Sequence, residues 1–261
     1  MSVVTSVRSK LSIVIPTYNT ATMTLALCRS LPDAEVIVVD DASTDGTSEL
    51  LRTEPITVIR LDENRRFAGA ANAGVAASRG AIVLLLNSDA RPEPGAIDAF
   101  LRAFDSDPRL GVAGARLLNP DGTPQWSGGP IPTLAWLLVM CSGVARFLPK
   151  RPQAGVDWVS GAAMAFRREV WDVAGPLNES YRFYAQDLAL CVRARAAGWD
   201  VRLIDDARIV HEGGATKPRD AAMLREDLLT WGRAHYGRAW AAAARPLTFA
   251  AAMVRRFISS S

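Results

Sequence analysis

The sequence lacks the features by which several classes of protein are recognised. Its three cysteines lie far apart, without the paired spacing of a metal site or disulfide framework, so we expect free thiols in a reducing cytoplasm. No stretch reaches the roughly 18 consecutive apolar residues of a transmembrane helix. Residues 1–10 are too mixed and polar for a signal peptide. An aromatic-interleaved basic stripe is also missing, so we expect a cytoplasmic protein that does not bind nucleic acid.

Several familiar catalytic and phosphate-binding motifs are missing as well. Residues 69–74 contain two glycines but not the dinucleotide-binding spacing, and the chain has no Walker-type Gly-Lys-Ser or Gly-Lys-Thr. A Gly-x-Ser-x-Gly elbow is also absent. The small side chains of residues 69–74 predict instead a helix packed closely on a sheet.

What the sequence does contain is the pattern of an α/β fold. With 261 residues, of which 49% are hydrophobic, it can bury a sizeable core. The first 120 residues alternate strand and helix patterns, which predicts βαβ crossovers and a mostly parallel, doubly wound sheet. Strands are predicted at 11–15, 36–39, 57–60, 81–86 and 111–116, and helices at 21–30, 47–52, 69–77 and 94–104. Beyond the turn at 119–122 we predict a strand at 156–166, an amphipathic helix at 187–197 and short strands within 201–210.

Two further segments are apolar or basic. Residues 134–148 are apolar apart from Arg146, and they suit a buried helix, the wall of an acceptor pocket or an interfacial segment. Residues 219–257 read as a helical tail, and eight Lys or Arg stand against three acids from residue 217 onward. We expect this tail either to pack and oligomerise, as in a homodimer, or to attach loosely to an anionic membrane surface. In the second case Arg255, Arg256 and Phe257 suit an interfacial helix at the inner membrane face.

Carboxylates follow two of the predicted buried strands. Asp89 comes just after the apolar run 83–86, and Asp40 and Asp41 follow the run 36–39. Open α/β sheets bind ligands at the carboxyl ends of their strands, so this arrangement suits a divalent cation and a nucleotide. The alternative for each acid is a turn or helix-capping role. His211, which follows a strand pattern, favours a Mn²⁺ or Mg²⁺ site made by Asp89, the imidazole and diphosphate oxygens.

Asp187 begins a predicted helix directly after the aromatic run 182–184. It is either an acid favoured by the helix dipole or a general base whose pKa is raised beside an apolar pocket.

Seven motifs, in this order, make the chain resemble a family 2 glycosyltransferase with the GT-A fold, near its rhamnosyltransferase-like members. The resemblance covers residues 11–216. The motifs are SIVIPTYN at 12–19, VVDDAS at 38–43 with DGT at 45–47, residues 64–74 with Phe67, Gly69 and Asn72, LNSD at 86–89, WVSGA at 158–162, Asp187 with LCVR at 190–193, and HEGGAT at 211–216.

The resemblance implies a GT-A catalytic domain at 1–216, with a nucleotide-binding part (11–120), an acceptor-side part (121–216) and the tail at 217–261. Asp187 would act as base in a single, inverting displacement that moves a sugar from a nucleoside-diphosphate-sugar to a hydroxyl of a glycan, a lipid-linked molecule or a small molecule. Asp89 and His211 would bind the cation, and Asp41 would read the base. The implied nucleotide-sugar-binding residues are Pro16, Thr17, Tyr18, Asp41, Asn72, Asn87, Ser88, Asp89, Trp158 and Gly161.

Two positions depart from the family pattern. The metal motif begins with Asn87 in place of Asp, and the usual acid-acid-x-acid run reads Gln-Asp-Leu-Ala at 186–189. The second departure leaves open a weakly active or non-catalytic protein that binds nucleotide-sugar. A sugar-1-phosphate nucleotidylyltransferase is a further alternative, but residues 16–19 (Pro-Thr-Tyr-Asn) do not resemble the Gly-rich, Arg-containing loop of those enzymes.

Overall fold

The computed structural model describes residues 11–141, 155–213 and 221–258. In these residues the strands are β1 (Leu11–Thr17), β2 (Glu35–Asp40), β3 (Thr57–Arg60), β4 (Ile82–Leu86), β5 (Ala90–Pro92), β6 (Leu110–Leu118), β7 (Gly128–Gly129), β8 (Trp158–Val159), β9 (Ala163–Arg167) and β10 (Asp200–His211). The helices are α1 (Ala21–Ser30), α2 (Thr47–Leu51), α3 (Arg66–Ala77), α4 (Ala96–Ser106), α5 (Leu134–Cys141), α6 (Arg168–Ala174), α7 (Gln186–Ala196), α8 (Ala221–Tyr236) and α9 (Arg238–Ile258).

Eight strands form the main sheet in the order β3-β2-β1-β4-β9-β6-β10-β5. Strands β3, β2, β1 and β4 pair in parallel, as do β6 and β10. Strand β9 is antiparallel to both of its neighbours, β4 and β6, and β5 is antiparallel to β10 at the edge. Strands β7 and β8 form a separate small antiparallel sheet. The prediction of a mostly parallel α/β sheet flanked by helices, followed by C-terminal helices, is confirmed.

The apolar run of β4 is buried on both faces of the sheet. Ile82, Leu84 and Leu86 belong to one core cluster, while Val83 and Leu85 belong to the cluster on the other face. Alternate side chains of a strand point to opposite faces, so a strand covered by helices on both sides needs an uninterrupted apolar run. Burying a side chain of this size contributes about 1.5–3 kcal/mol. The central strands therefore hold the sheet rigid beneath the loops at its edge.

Three parallel strands end at the same edge of this sheet. They are β1, β2 and β4, which end at Thr17, Asp40 and Leu86. Strand β1 lies between the other two, so the connections that lead to β2 and to β4 run to opposite sides of it, and such a change of direction places a crevice at the carboxyl ends. Asp41 and Asp89, one and three residues beyond their strands, lie at this crevice edge.

The single strand predicted at 156–166 is wrong. The segment forms two short strands, β8 and β9, which belong to different sheets. Residues 160–162 separate the two strands, because their backbone groups bond elsewhere. The Ser160 N–H donates to Ser127 O (2.8 Å), and the Gly161 N–H donates to the Asp187 carboxylate (2.9 Å). A turn replaces the middle of the predicted strand.

The short strands predicted within 201–210 are one continuous strand, β10. Its pairing with β6 runs to Ile204, opposite Ala115, and resumes at Arg208, opposite Arg116. The three residues between them have no partner on β6, so the bulge interrupts the pattern of the sequence without ending the strand.

The apolar segment 134–148 is described only as far as α5, and residues 142–148 lie outside the described residues. Leu137 is buried against Trp240 and Ala244 of α9, whereas Leu138 is about half exposed. The described part of the segment is thus a helix packed on the C-terminal helices through one face. Within the described ranges, no helix is both long enough and apolar enough to cross a bilayer. The side chains of residues 255–257 lie outside the described residues.

Helix α3 packs closely on the sheet through Gly74, as the small residues of 69–74 predict. A Cβ atom at position 74 would lie 2.3 Å from Val14 Cγ1 and 3.0 Å from Val39 Cγ2. Side chains of β1 and β2 therefore occupy the space that any larger residue needs.

We expect Gly74→Ala to destabilise the protein by about 1–3 kcal/mol, because the added methyl overpacks this contact. The sign of this change in stability distinguishes overpacking from helix propensity. Propensity alone would make the Gly74→Ala protein more stable, since alanine is about 1 kcal/mol more favourable than glycine within a helix. Urea denaturation measures the difference, and Ala76→Gly on the exposed side of the same helix is the matched control, with a loss of about 1 kcal/mol from propensity alone. A more stable Gly74→Ala protein would contradict the close packing.

Candidate active site

Asp40 closes the loop after β2 and is fully buried. Its carboxylate accepts hydrogen bonds from the Ser43 N–H (2.9 Å), from the Ser48 hydroxyl and from Arg60 Nη1 (2.6 Å). Burial alone would raise the pKa of Asp40, but the hydrogen bonds from Ser43 and Ser48 and the charge of Arg60 hold it below the ordinary value. These partners lie in the loop after β2, in α2 and in β3, so Asp40 has a structural role.

Asp41 makes hydrogen bonds that connect the ends of β1 and β2 with the start of α3 at the crevice edge. Its N–H donates to Thr17 O (2.9 Å), its Oδ1 accepts the Arg65 N–H (2.7 Å) and its carbonyl accepts Asn64 Nδ2 (3.2 Å). Burial raises the pKa of the Asp41 carboxyl above its ordinary value. The ends of β1 and β2 and the start of α3 are therefore held together at the position predicted to read the nucleotide base.

A chain of buried hydroxyl groups links the end of β1 to the loop after β4. Thr17 Oγ1 lies 2.7 Å from Thr20 Oγ1 and 2.8 Å from Thr24 Oγ1, and the Thr20 hydroxyl donates to Ser88 Oγ (2.9 Å). The buried hydroxyls of Thr17 and Ser88 are thus linked through Thr20 near the carboxyl ends of β1 and β4. Among the predicted neighbours, Pro16 is buried in β1 and Tyr18 is partly exposed just beyond it.

The structure brings Asp89 and His211 together. Asp89 Oδ1 lies 3.3 Å from His211 Nε2, and both side chains are largely buried. The segment after β10 closes on Asp89, because the Gly213 N–H donates to Asp89 Oδ2 (3.2 Å) and the Glu212 N–H donates to its carbonyl (3.1 Å). Asn87 Nδ2 also lies 3.2 Å from His211 Nε2. Asn87 and His211, which are 124 positions apart in the sequence, therefore meet at one point of the edge.

Asp187 lies at the first turn of α7, two residues after a strained residue. Ala185 adopts a left-handed backbone with φ of 68°, a conformation that is uncommon outside glycine. The Asp187 carboxylate accepts N–H groups from Gly161 (Oδ2, 2.9 Å) and Leu188 (Oδ1, 2.8 Å). Burial raises the pKa of Asp187 even though these bonds oppose the shift. A raised pKa makes a carboxylate a stronger base.

Asp187 and the Asp89–His211 pair are joined through the turn at 160–162. Asn87 N–H donates to Ala162 O (2.9 Å), and the next residue back, Gly161, donates its N–H to Asp187. A Cβ added at Gly161 would lie 3.5 Å from both Asp187 Cβ and the Phe67 ring. The basic carboxylate and the Asp89–His211 pair therefore lie on either side of one short turn.

Two of the residues predicted to bind nucleotide-sugar bond to the protein itself. Asn72 Nδ2 donates to Leu177 O (3.0 Å) and Glu179 Oε1 (3.0 Å), while its Oδ1 accepts the Leu177 N–H (2.9 Å). Trp158 Nε1 donates to Pro130 O (3.1 Å), and its ring lies 5.1 Å from that of Trp126 in a T-shaped pair. Asn72 thus holds α3 against the loop before α7. The partly exposed Trp158 lies at the same turn as Gly161.

Sequence reasoning missed the carboxylate that holds the loop before Asp187. Asp227 of α8 is buried and accepts three successive backbone N–H groups, from Arg182 (2.9 Å), Phe183 (2.9 Å) and Tyr184 (2.7 Å). Hydrogen bonds to an ionised acceptor are stronger than neutral ones. In the sequence Asp227 is one acid in a polar helix, and nothing marks it as different from its neighbour Glu226. The C-terminal helices therefore shape the active-site loop directly.

Gln125 is a second residue that the sequence did not indicate. Its Oε1 lies 2.7 Å from His211 Nδ1, and its Nε2 donates to His211 O (3.1 Å) and Asn119 Oδ1 (3.0 Å). The two ends of the Gln125 amide thus contact both the ring and the backbone of His211.

The fold is that of the GT-A glycosyltransferases. The mannosyltransferase PcManGT from Pyrobaculum calidifontis, solved in complex with GDP-Man and Mn²⁺, aligns with a TM-score of 0.59 at 20% identity, over 97% of this chain and 80% of that chain. A model of glycosyl transferase family 2 matches residues 12–172, more than half of the sequence, and the chain belongs to that family.

Two curated relatives extend the comparison. The N-acetylglucosaminyl-diphospho-decaprenol L-rhamnosyltransferase of Mycobacterium tuberculosis is 27% identical over 225 residues, 76% of this chain and 72% of that protein. An O-antigen biosynthesis protein of Myxococcus xanthus is 27% identical over 237 residues, which are 81% of this chain but 18% of the larger protein. The resemblance predicted from the seven motifs is confirmed.

We expect Asp227→Asn to lower the free energy of unfolding by about 1–3 kcal/mol, because the amide keeps only one oxygen for the N–H groups of residues 182–184 and its NH₂ group cannot accept the others. Glu226→Gln is the matched control: Glu226 pairs with Arg182 at 2.8 Å, but its side chain is 50% exposed. An exposed pair of this kind contributes about 0–1 kcal/mol. Urea denaturation compares the two variants, and equal losses would argue against the clamp.

Proposed function

We propose that the protein is an inverting, metal-dependent glycosyltransferase that moves a hexosyl or rhamnosyl group from a nucleoside-diphosphate-sugar to a hydroxyl acceptor. The observation that carries the proposal is the placement of Asp187 and the Asp89–His211 pair on either side of the 160–162 turn. One side offers a base with a raised pKa, and the other offers an oxygen and an imidazole nitrogen for a cation.

The chemistry of Asp89 and His211 fits a divalent cation such as Mn²⁺ or Mg²⁺. A carboxylate oxygen and an imidazole nitrogen 3.3 Å apart are both lone-pair donors to a metal. In the described part of the chain, no three His, Cys, Asp or Glu side chains group as a metal site. Two protein ligands leave positions for diphosphate oxygens, which agrees with a cation that binds together with its donor. The bound cation would offset the negative charge of the departing diphosphate.

Asp187 is proposed to receive the proton of the acceptor hydroxyl. The acceptor oxygen forms a bond to the anomeric carbon as the bond from that carbon to the diphosphate oxygen breaks. The hydroxyl proton goes to Asp187, and the nucleoside diphosphate leaves. Attack opposite the leaving group inverts the anomeric configuration.

Two positions beside Asp187, 186 and 189, lack the acids that the family usually has, and their surroundings are compatible with a catalytic protein. Gln186 is buried, with its Nε2 3.4 Å from Tyr181 O, and Ala189 is buried in a cluster with Trp231 of α8. A carboxylate in place of Ala189 would be charged inside this apolar cluster, which is costly. The loss of the acid at position 189 therefore accompanies the packing of α7 against α8 and leaves Asp187 in place.

The donor and acceptor classes rest on the relatives. The Mycobacterium tuberculosis relative is named for rhamnosyl transfer to a lipid-linked N-acetylglucosamine, and the Myxococcus xanthus relative for O-antigen biosynthesis. A sugar hydroxyl of a lipid-linked or free glycan in polysaccharide biosynthesis is the acceptor class that we propose. Peripheral contact of the C-terminal helices with an anionic membrane, or a homodimer through them, is part of the proposal. Vesicle sedimentation and light scattering distinguish these two arrangements.

We expect sugar transfer to stop in EDTA and to return when Mn²⁺ is added. We also expect Asp187→Asn to lower kcat by roughly 10²–10⁴-fold, the usual contribution of a general base. Asp172→Asn, an exposed acid on α6, is the control that keeps full activity. Donor turnover and the anomeric configuration of the product, read by NMR, are measured together. Undiminished turnover in Asp187→Asn would remove it as the base, and a retained configuration would rule out single displacement.

The raised pKa of Asp187 sets an expected pH dependence. The carboxylate is the active form, so activity falls as the pH drops through the Asp187 pKa, and this acidic limb lies above the value of about 3.9 for an ordinary aspartate. The measurement is kcat/KM for the acceptor against pH at saturating donor. Mn²⁺ occupancy is followed in parallel by EPR, so that loss of metal is not mistaken for loss of the base. An acidic limb at the ordinary aspartate value would contradict this assignment.

A further inference from the structure

Gln125 lies in an extended segment that runs beside β6. Its N–H donates to Leu117 O (2.8 Å), and the chain reverses just before it, where Asn119 N–H donates to Thr123 O (2.8 Å). The Ser127 hydroxyl accepts the Leu117 N–H (2.8 Å) and donates to Gln125 O (3.0 Å). The Gln125 backbone is therefore fixed to the sheet next to the end of β10.

The neighbours of Gln125 determine which way its amide points. Its Nε2 faces the backbone carbonyl of His211 at 3.1 Å and Asn119 Oδ1 at 3.0 Å. A backbone carbonyl only accepts hydrogen bonds, so the atom that faces it must be the NH₂ group. The other end of the amide, Oε1, then faces His211 Nδ1 at 2.7 Å.

This orientation determines the tautomer of His211. An amide oxygen cannot donate, so His211 Nδ1 must carry the proton of the 2.7 Å hydrogen bond. In a neutral imidazole the other nitrogen, Nε2, then carries a lone pair. Asn87 Nδ2 at 3.2 Å can donate to that lone pair.

The second neighbour of Nε2 is an acceptor. Asp89 Oδ1 lies 3.3 Å away in a largely buried place. A proton on Nε2 would be donated to that oxygen in a hydrogen bond, and a cation between the two atoms would bind both. The proton and the cation compete for the same position.

We propose that Gln125 is a positioning residue that holds His211 in its Nδ1–H tautomer and thereby reserves Nε2, beside Asp89, for a divalent cation. The proposal rests on the proposed metal-dependent function. Gln125 disfavours the competing Nε2–H tautomer, because an unprotonated Nδ1 would then face the fixed amide oxygen, which is also an acceptor, at 2.7 Å. Metal-binding histidines are commonly oriented by such a hydrogen bond from the second ring nitrogen.

The tautomer is measured directly on ¹⁵N-labelled, metal-free protein at about pH 8, above the ordinary histidine pKa of about 6.5. Long-range ¹H–¹⁵N correlations distinguish Nδ1–H from Nε2–H. The chain has two histidines, and His235→Gln assigns the signals of His211. We expect the Nδ1–H form in the unmodified protein. An Nε2–H form there overturns the proposal, whether or not any variant folds.

Gln125→Leu tests the consequence, with its fold checked by circular dichroism. We expect His211 to shift toward the Nε2–H tautomer and Mn²⁺ to bind roughly 10–100-fold more weakly, the usual effect of losing such a partner. Binding is measured by EPR with UDP, GDP and dTDP, and the diphosphate that binds best to the unmodified protein is then used for the variants. A folded Gln125→Leu protein with an unchanged tautomer and unchanged Mn²⁺ affinity overturns the proposal.

Asp89→Asn separates this proposal from the proposed function. If Asp89→Asn leaves Mn²⁺ affinity unchanged, the cation does not bind at this pair, and both the metal site and the reason given for the tautomer fail. If Asp89→Asn abolishes Mn²⁺ binding while Gln125→Leu changes neither the tautomer nor the affinity, the metal site stands and the role of Gln125 fails.

Discussion

Two hydrogen bonds made by backbone groups of the 160–162 turn connect the two halves of the site. One runs from Gly161 to Asp187, and the other runs from Asn87 to Ala162. The turn interrupts what would otherwise be a single strand, and the interruption places β9 in the main sheet, directly beside β4. Because neither β4 nor β9 can shift within a sheet that is buried on both faces, the separation of the basic carboxylate from the Asp89–His211 pair is a property of the core.

The acidic residues of the site differ in how their oxygens are satisfied, and the difference separates structure from chemistry. Asp40 and Asp227 accept donors that suit an ionised carboxylate, so their charge stabilises loops. Asp89 faces another acceptor in His211 Nε2, and Asp187 is buried enough for its pKa to rise. A carboxylate whose pKa is raised by burial is suited to accept a proton, and one that lies beside an imidazole nitrogen is suited to bind a cation. This contrast supports the assignment of Asp89 and Asp187 to the reaction.

How far the sequence predicted the site depends on whether each residue acts through its own strand or through a distant partner. Asp89 and His211 could be found because Asp89 follows a buried strand and His211 ends another strand, and parallel strands end at a common edge. Gln125 and Asp227 could not, since their partners lie 86 and about 44 residues away and neither residue stands out in its segment. The antiparallel insertion of β9 was missed for a related reason, because its run of apolar residues does not show strand direction.

The change of the family's acidic run at 186–189 can be understood from the C-terminal helices. Nearby carboxylates raise the pKa of an aspartate by repulsion, and burial does so by loss of solvation. Here Gln186 and Ala189 supply no charge, yet the pKa of Asp187 is still raised, by burial. The packing that buries Ala189 beside Trp231 of α8 accompanies the hydrogen bonds by which Asp227 of α8 holds the loop before α7. In this chain burial therefore raises the pKa of Asp187 without the repulsion that neighbouring acids could otherwise supply.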